Sequence, residues 1–226
     1  MQERGNEPSE TTPGGPWVGT DGGTPPPGVA PSSGSFPIVG VGASAGGLEA
    51  FTLLLKHLPP DSGMAFVFIQ HLDPKQPSLL GEALGRITEM AVSQPEDRTP
   101  VEPNHVYVIP PDADIALDQG LLTLVPRTAD SRRPHLPIDF FFRSLAAVRG
   151  SHAIGVVLSG NASDGTEGLR AIKGENGITF AQDPESARIA EMPRNAINAG
   201  IVDCVLPIPE LARELVRLSL HPYLVA

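Results

Sequence analysis

The chain is 226 residues long, with a formal charge of -10 and a pI near 5.0. That acidic balance argues against a nucleic-acid partner, which requires a basic face, and no apolar run approaches the ~20 residues of a membrane span. A single cysteine, Cys204, excludes an internal disulfide framework and fits a reducing, cytoplasmic setting. Set in the apolar run Val202–Leu206, it reads as a buried structural thiol.

Residues 1–35 are rich in Gly and Pro and nearly free of large apolar side chains. Such a segment buries too little surface to offset its ordering entropy, so it is expected to be a disordered tail. Its acidic opening and missing apolar core exclude a secretory signal. Residues 36–226 suffice for one domain with a full core.

From Ile38 onward, strand-like apolar runs alternate with helical patterns. Ile38–Gly42 reads as a strand, and Leu48, Phe51, Leu55 and Leu58 mark one helix face, stopped by Pro59-Pro60. Met64–Ile69 is a second strand, Leu79–Ile87 a helix entered through Pro77-Ser78, and Val106–Ile109 a strand stopped by Pro110-Pro111. Ile115–Asp118 and Leu121–Val125 flank Gln119-Gly120 as an antiparallel hairpin appended to the sheet. Arg127, Arg132 and Arg133 form the one local basic cluster, either a solvated loop or a dock for an acidic protein.

Ile138–Val148 then reads as a helix with Asp139 as its N-cap. Ala153–Ser159 is a nearly all-apolar strand, as expected where both sheet faces are covered. Gly165–Lys173 is helical, Ile178–Ala181 a strand, Arg194–Asn198 a short helix, Val202–Leu206 a strand and Pro209–Leu220 a closing helix. The alternation implies an α/β fold: a doubly wound, mainly parallel sheet with helices on both faces.

The first strand-to-helix junction carries the chemistry. Gly42-Ala43-Ser44-Ala45-Gly46 fits Gly-x-Ser-x-Gly, a sharp turn that lifts a serine hydroxyl off a strand tip beside unpaired backbone N–H groups. Those groups and the helix dipole favour the negative charge of a tetrahedral oxyanion. The same residues also fit a dinucleotide fingerprint, Gly40-x-Gly42-x-x-Ala45, which wants an acidic residue about 20 positions on. His71 stands there instead, and Asp73 comes late. A tight turn without chemistry is the third reading.

Open parallel sheets bind ligands beyond the carboxyl ends of their strands, and that rule sorts the histidines. His71 follows the second strand and shares an edge with Ser44, whereas His105 and His152 precede their strands. His57 ends a helix, His135 lies in a Pro-flanked loop, and His221 follows the last helix. Among the acids, Asp164 lies in the glycine-rich turn Ser159-Gly160-Asn161-Ala162-Ser163-Asp164-Gly165, Asp183 follows Ile178–Ala181, and Asp112 follows Val106–Ile109. Asp164 is the first choice to orient His71, with Asp183 second; the competing role for Asp164 is capping its own helix. The order Ser44, His71, Asp164 differs from the Ser, Asp/Glu, His order of α/β-hydrolases, but triads are defined by geometry.

Several blocks together resemble the catalytic domain of the chemotaxis protein-glutamate methylesterases (CheB-type) over roughly residues 36–218. They are Gly42–Gly47, Gln70-His71, Val106-Tyr-Val-Ile-Pro-Pro111, Asp139-Phe-Phe-Phe-Arg143-Ser144, Leu158–Gly165, Ala181-Gln-Asp183 and Met192-Pro-Arg194. The resemblance implies Ser44 as nucleophile, His71 as base and Asp164 as orienting acid. Gly42, Ala45 and Asn161 border the expected oxyanion and substrate site. It further implies a cytoplasmic hydrolase acting on glutamate methyl esters, and on glutamine by deamidation, in methylated chemoreceptor-type proteins. No metal or other cofactor is expected, nor membrane insertion, and a receptor methyltransferase is an implied partner.

Two departures border the site: Ala45 where the family commonly has Thr, and Ser159-Gly160-Asn161-Ala162 where it often has Thr-Gly-Met-Gly. The family usually carries a regulatory receiver domain ahead of this one. With the Pro/Gly-rich tail in that place, regulation in cis is expected to be absent. Two rival readings remain: a catalytically weak regulatory module of a fused methylesterase–methyltransferase system, and a dinucleotide binder.

Overall fold

The computed structural model describes residues 36–71, 80–126 and 135–221. The expected tail, the Arg127/Arg132/Arg133 cluster and the Pro77-Ser78 helix entry lie outside the described residues. Among the described residues, ten strands and six α-helices run in chain order: β1 (Ile38–Ala43), α1 (Gly47–His57), β2 (Ala65–Gln70), α2 (Leu80–Gly85), β3 (Ala91–Ser93), β4 (Thr99–Pro100), β5 (His105–Val108), β6 (Ala113–Asp118), β7 (Leu121–Pro126), α3 (Pro137–Arg149), β8 (Ala153–Val157), α4 (Thr166–Gly174), β9 (Ile178–Gln182), α5 (Glu191–Asn198), β10 (Cys204–Leu206) and α6 (Ile208–Ser219).

Seven strands form one parallel sheet in the order β10-β9-β8-β1-β2-β5-β3. The chain first winds outward from β1 through β2 to β5, then returns to the other side of β1 as β8, β9 and β10. The order therefore reverses at β1, which makes its carboxyl end a topological switch point.

Alternation along the central strands sorts the side chains into two cores. Val39, Val41, Ala43, Phe66 and Phe68 join α1 and α6 on one face, with Phe51 of α1 stacked on Phe68 at a centroid distance of 4.1 Å. Ile38, Val67, Ile69 and Val157 meet α3 and α4 on the other, where Ile138, Phe141, Phe142 and Leu169 are fully buried. Opposite α3, β1 offers Gly40 and Gly42 instead of side chains. A Cβ on Gly42 would stand 2.3 Å from Ile138 Cγ2, so the absence of side chains draws α3 close to the central strand.

The structure corrects several expectations. The expected hairpin of β6 and β7 is present, but β7 also pairs with β4, so the three strands form a small antiparallel sheet of their own beside the main one. Ile115, Leu117 and Leu122 bury it with Phe141 and Leu145 of α3, and the Leu117 N–H donates to Ser144 Oγ at 2.9 Å. The edge strand β3 and the two-residue β4 carry too few residues to show a period and were not anticipated. Cys204 is only half-buried, at the start of the edge strand β10, although burial still pushes its thiol upward, helped by Glu214 and Asp203.

Candidate active site

The register of β1 and β2 pairs Ala43 with Gln70, so Ser44 and His71 are the next residues off adjacent strand ends. Beyond Ser44 the chain turns at Gly46, whose φ of 77° is left-handed, and enters α1. A side chain at Gly46 would meet Ser159 Oγ at 2.7 Å as well as straining the backbone. The turn is closed by the Gly47 N–H donating to the Ser44 carbonyl at 2.9 Å.

From the other neighbour of β1, the turn after β8 delivers Asp164, only 1% exposed. Its Oδ2 lies 2.8 Å from His71 Nε2. The same carboxylate accepts the N–H groups of Ile138 at 3.0 Å and Asp139 at 2.9 Å. Those are orphan donors in the first turn of α3, whose N-cap residue Leu136 contributes no side-chain bond. Asp164 thus caps a helix distant in sequence, not its own: α4 starts after Gly165 with no side-chain cap. With the positive end of the α3 dipole behind it, the carboxylate is held for one remaining task, the imidazole.

Asp139, expected to be the N-cap of α3, lies inside the first turn and reaches across to α4. Its Oδ1 accepts the Gly168 N–H at 2.6 Å. Asp164 and Asp139 therefore each satisfy the first turn of the other's helix. Burial pushes the Asp139 carboxyl above the ordinary range, the Gly168 N–H works against this, and the nearby Asp164 adds to it.

With Nε2 committed to Asp164, Nδ1 is the ring nitrogen left for a proton from the serine side. His71 is 31% exposed, open enough to meet a substrate. Among the described residues, the Ser44 hydroxyl and the His71 ring share no direct hydrogen bond. The other candidates stand apart. Asp183 Oδ1 takes the Glu185 N–H of its own turn at 3.2 Å, and His105 Nε2 pairs with Ser93 Oγ at 2.7 Å at the amino edge. His57 bonds the Leu53 carbonyl, and His135 bonds Asp114.

Of the three residues expected around the oxyanion, Ala45 and Asn161 lie on turns at the carboxyl edge. Gly42 sits inside β1, fully covered, its carbonyl accepting the Leu158 N–H at 2.9 Å, so its backbone serves the sheet. The Asn161 turn is anchored on both sides. The Gly160 N–H and carbonyl bond Ile189 and Met192, and Asn195 Nδ2 donates to the Ala162 carbonyl at 2.9 Å. Sequence reasoning did not find Asp139 as a support of Asp164, nor the close packing of Gly160 against Ser44, where an added Cβ would lie 2.9 Å from Ser44 Cβ.

A doubly wound parallel sheet with a serine turn at its switch point and a carboxylate–imidazole pair on the flanking turns has the arrangement of a hydrolase built on an α/β fold. The CheB methylesterase family model matches residues 39–215. The chain belongs to the CheB methylesterase family. A Leptospira interrogans relative is 32% identical over 187 residues, covering 82% of this chain and 96% of its own length. Two proteins named protein-glutamate methylesterase/protein-glutamine glutaminase are each 35% identical: one from Burkholderia lata, covering 76% of this chain and 48% of that protein, and one from Photorhabdus laumondii, covering 79% and 51%. This chain thus spans about half the length of those two. The crystal structure of the Thermotoga maritima CheB methylesterase catalytic domain superposes with a TM-score of 0.74 at 29% identity, covering 81% of this chain and 99% of that one. Among the described residues, no helix is long and apolar enough to cross a membrane.

Proposed function

We propose that this domain hydrolyses γ-glutamyl methyl esters on chemoreceptor-type proteins in the cytoplasm, and deamidates glutamine by the same route, with Ser44, His71 and Asp164 as its catalytic machinery. The observation that carries the reading is the His71–Asp164 pair at 2.8 Å, presented one strand away from a serine elbow. In this scheme Ser44 Oγ attacks the ester carbonyl and its proton passes to His71 Nδ1, while Asp164 holds the imidazole and balances the imidazolium. The Ala45 N–H, with the Asn161 turn alongside, receives the oxyanion. Methanol leaves with the proton from His71. Water, deprotonated by His71, then attacks the acyl-serine and frees the glutamate.

General-base assistance of this kind contributes about 10²–10⁴ in rate. Ser44→Ala is expected to abolish methanol release from a methylated chemoreceptor fragment, and His71→Ala to lower it by about that factor. Turnover near wild type in either variant refutes the assignment. Fluorophosphonate labelling of Ser44, lost in His71→Ala, separates an esterase from a regulatory module that keeps the fold without the turnover.

A further inference from the structure

Ser159, 1% exposed at the foot of the turn after β8, has every polar group engaged, two of them on the elbow. Its carbonyl accepts the Ser44 N–H at 3.1 Å. Its hydroxyl donates to the Ala45 carbonyl at 2.8 Å and accepts the Ile189 N–H at 3.0 Å, and its own N–H donates to Gln182 Oε1 at 2.9 Å. The single hydroxyl proton has a second carbonyl, that of Ile189, at 3.3 Å; the shorter contact to Ala45 is the better bond. Gln182 is itself locked, 3% exposed with Nε2 donating to the Ser186 carbonyl at 3.1 Å.

These bonds have a directional consequence. A trans peptide points its carbonyl and its N–H in opposite directions, so holding one aims the other. Ser159 fixes the Ala43–Ser44 peptide through its carbonyl and the Ala45–Gly46 peptide through its hydroxyl. Between them lies the Ser44–Ala45 peptide, whose carbonyl is taken by the Gly47 N–H at 2.9 Å and Gln70 Nε2 at 3.5 Å. The Ala45 N–H is thereby turned away from the sheet, and among the described residues it has no acceptor.

We propose that Ser159 is a positioning residue whose hydroxyl holds the elbow so that the Ala45 N–H is aimed, before substrate arrives, at the oxygen that becomes negative. The inference rests on Ser44 being the nucleophile. A donor already in place need not reorganise as charge develops, which is what makes such stabilisation large; losing one outright costs about 10²–10³ in rate. Loosening one without deleting it should cost about tenfold.

The test compares labelling of the full chain by a fluorophosphonate and by its P=S counterpart. In both, Ser44 Oγ bonds to phosphorus, fluoride leaves and the serine proton passes to His71. Only the P=O probe places a strong acceptor before the Ala45 N–H. Ser159→Ala is expected to slow the P=O probe about tenfold and the P=S probe by less than about twofold. Ser159→Cys, nearly isosteric with a weak donor, should move the same way and keeps the test intact if the alanine variant does not fold. Ser159→Thr, which retains the hydroxyl, should return the wild-type ratio. Parallel slowing of both probes, or no slowing of either, overturns the proposal. Labelling that persists in Ser44→Ala overturns the nucleophile assignment instead, so the two failures are distinguishable.

Discussion

Asp164 serves two masters, and its variants should reveal both. It orients the imidazole and terminates α3 by accepting the Ile138 and Asp139 N–H groups. Asp164→Ala leaves those buried donors unpaired, at a cost of about 1–3 kcal/mol for each one left unsatisfied. In the proposed mechanism activity should fall by about 10⁴ as well, the scale seen when a triad loses its orienting carboxylate. His71→Ala removes a partly exposed ring and leaves Asp164 its two backbone donors, so its stability should stay within about 1 kcal/mol of wild type. Urea denaturation beside ester-hydrolysis kinetics checks the contrast. Equal stability loss in the two variants would mean that the α3 cap is not where Asp164 makes its structural contribution.

At the level of elements, α3 is placed by absences on β1 and by a carboxylate from α4's turn. Gly42→Ala puts a methyl group 2.3 Å from Ile138 Cγ2, beside the very N–H that Asp164 accepts. A loss of about 1–3 kcal/mol is expected from overpacking, and Gly42→Ala/Ile138→Ala, which removes the clashing Cγ2, should lose less than the sum of its two single variants. The latch between α3 and α4 should show in pH dependence. Burial raises the folded-state pKa of Asp139 above its ordinary value of 3.8, so the folded chain holds its proton longer than the unfolded chain does. Its contribution is therefore greatest at low pH and declines as pH climbs from 3.8 through the raised value. Asp139→Asn keeps an acceptor for the Gly168 N–H and cannot ionise. Its stability relative to wild type should rise with pH across that window, measured by urea melts at successive pH values; a flat difference would count against the buried-charge account.

The same elements show what the chain alone discloses. Central strands β1, β2 and β8 are buried on both faces, so their apolar runs announce them, and β-α alternation then delivers the parallel topology. That topology by itself carries Ser44, His71 and Asp164 to one edge of the sheet. What stayed hidden is short or reciprocal. β3 and β4 are too brief to show a period. Asp139 and Asp164 each sit where a local helix cap is expected, and no local pattern shows that they exchange helices. Ser159 looks like a strand end until the Ala45 carbonyl is seen 2.8 Å from its hydroxyl.

At the scale of the whole molecule, the net charge of -10 sets the terms of encounter. A strongly acidic protein repels an acidic partner at long range, and salt screens that repulsion with a Debye length of about 10 Å at 0.1 M. In the proposed mechanism the bond-making step is local to Ser44 and the His71–Asp164 pair and feels little of this field. Two peptides carrying the same γ-methyl glutamate, one flanked by glutamates and one by lysines, should therefore differ in kcat/KM at low salt in favour of the lysine-flanked ester. Raising the ionic strength should speed the first, slow the second and bring the two rates together, while kcat changes little for either. A glutamate-flanked peptide that is the faster substrate at low salt would show that positive potential at the site overrides the charge of the whole. Arg188 and Arg194, on the loop and helix that anchor the Asn161 turn, would then be the groups to neutralise first.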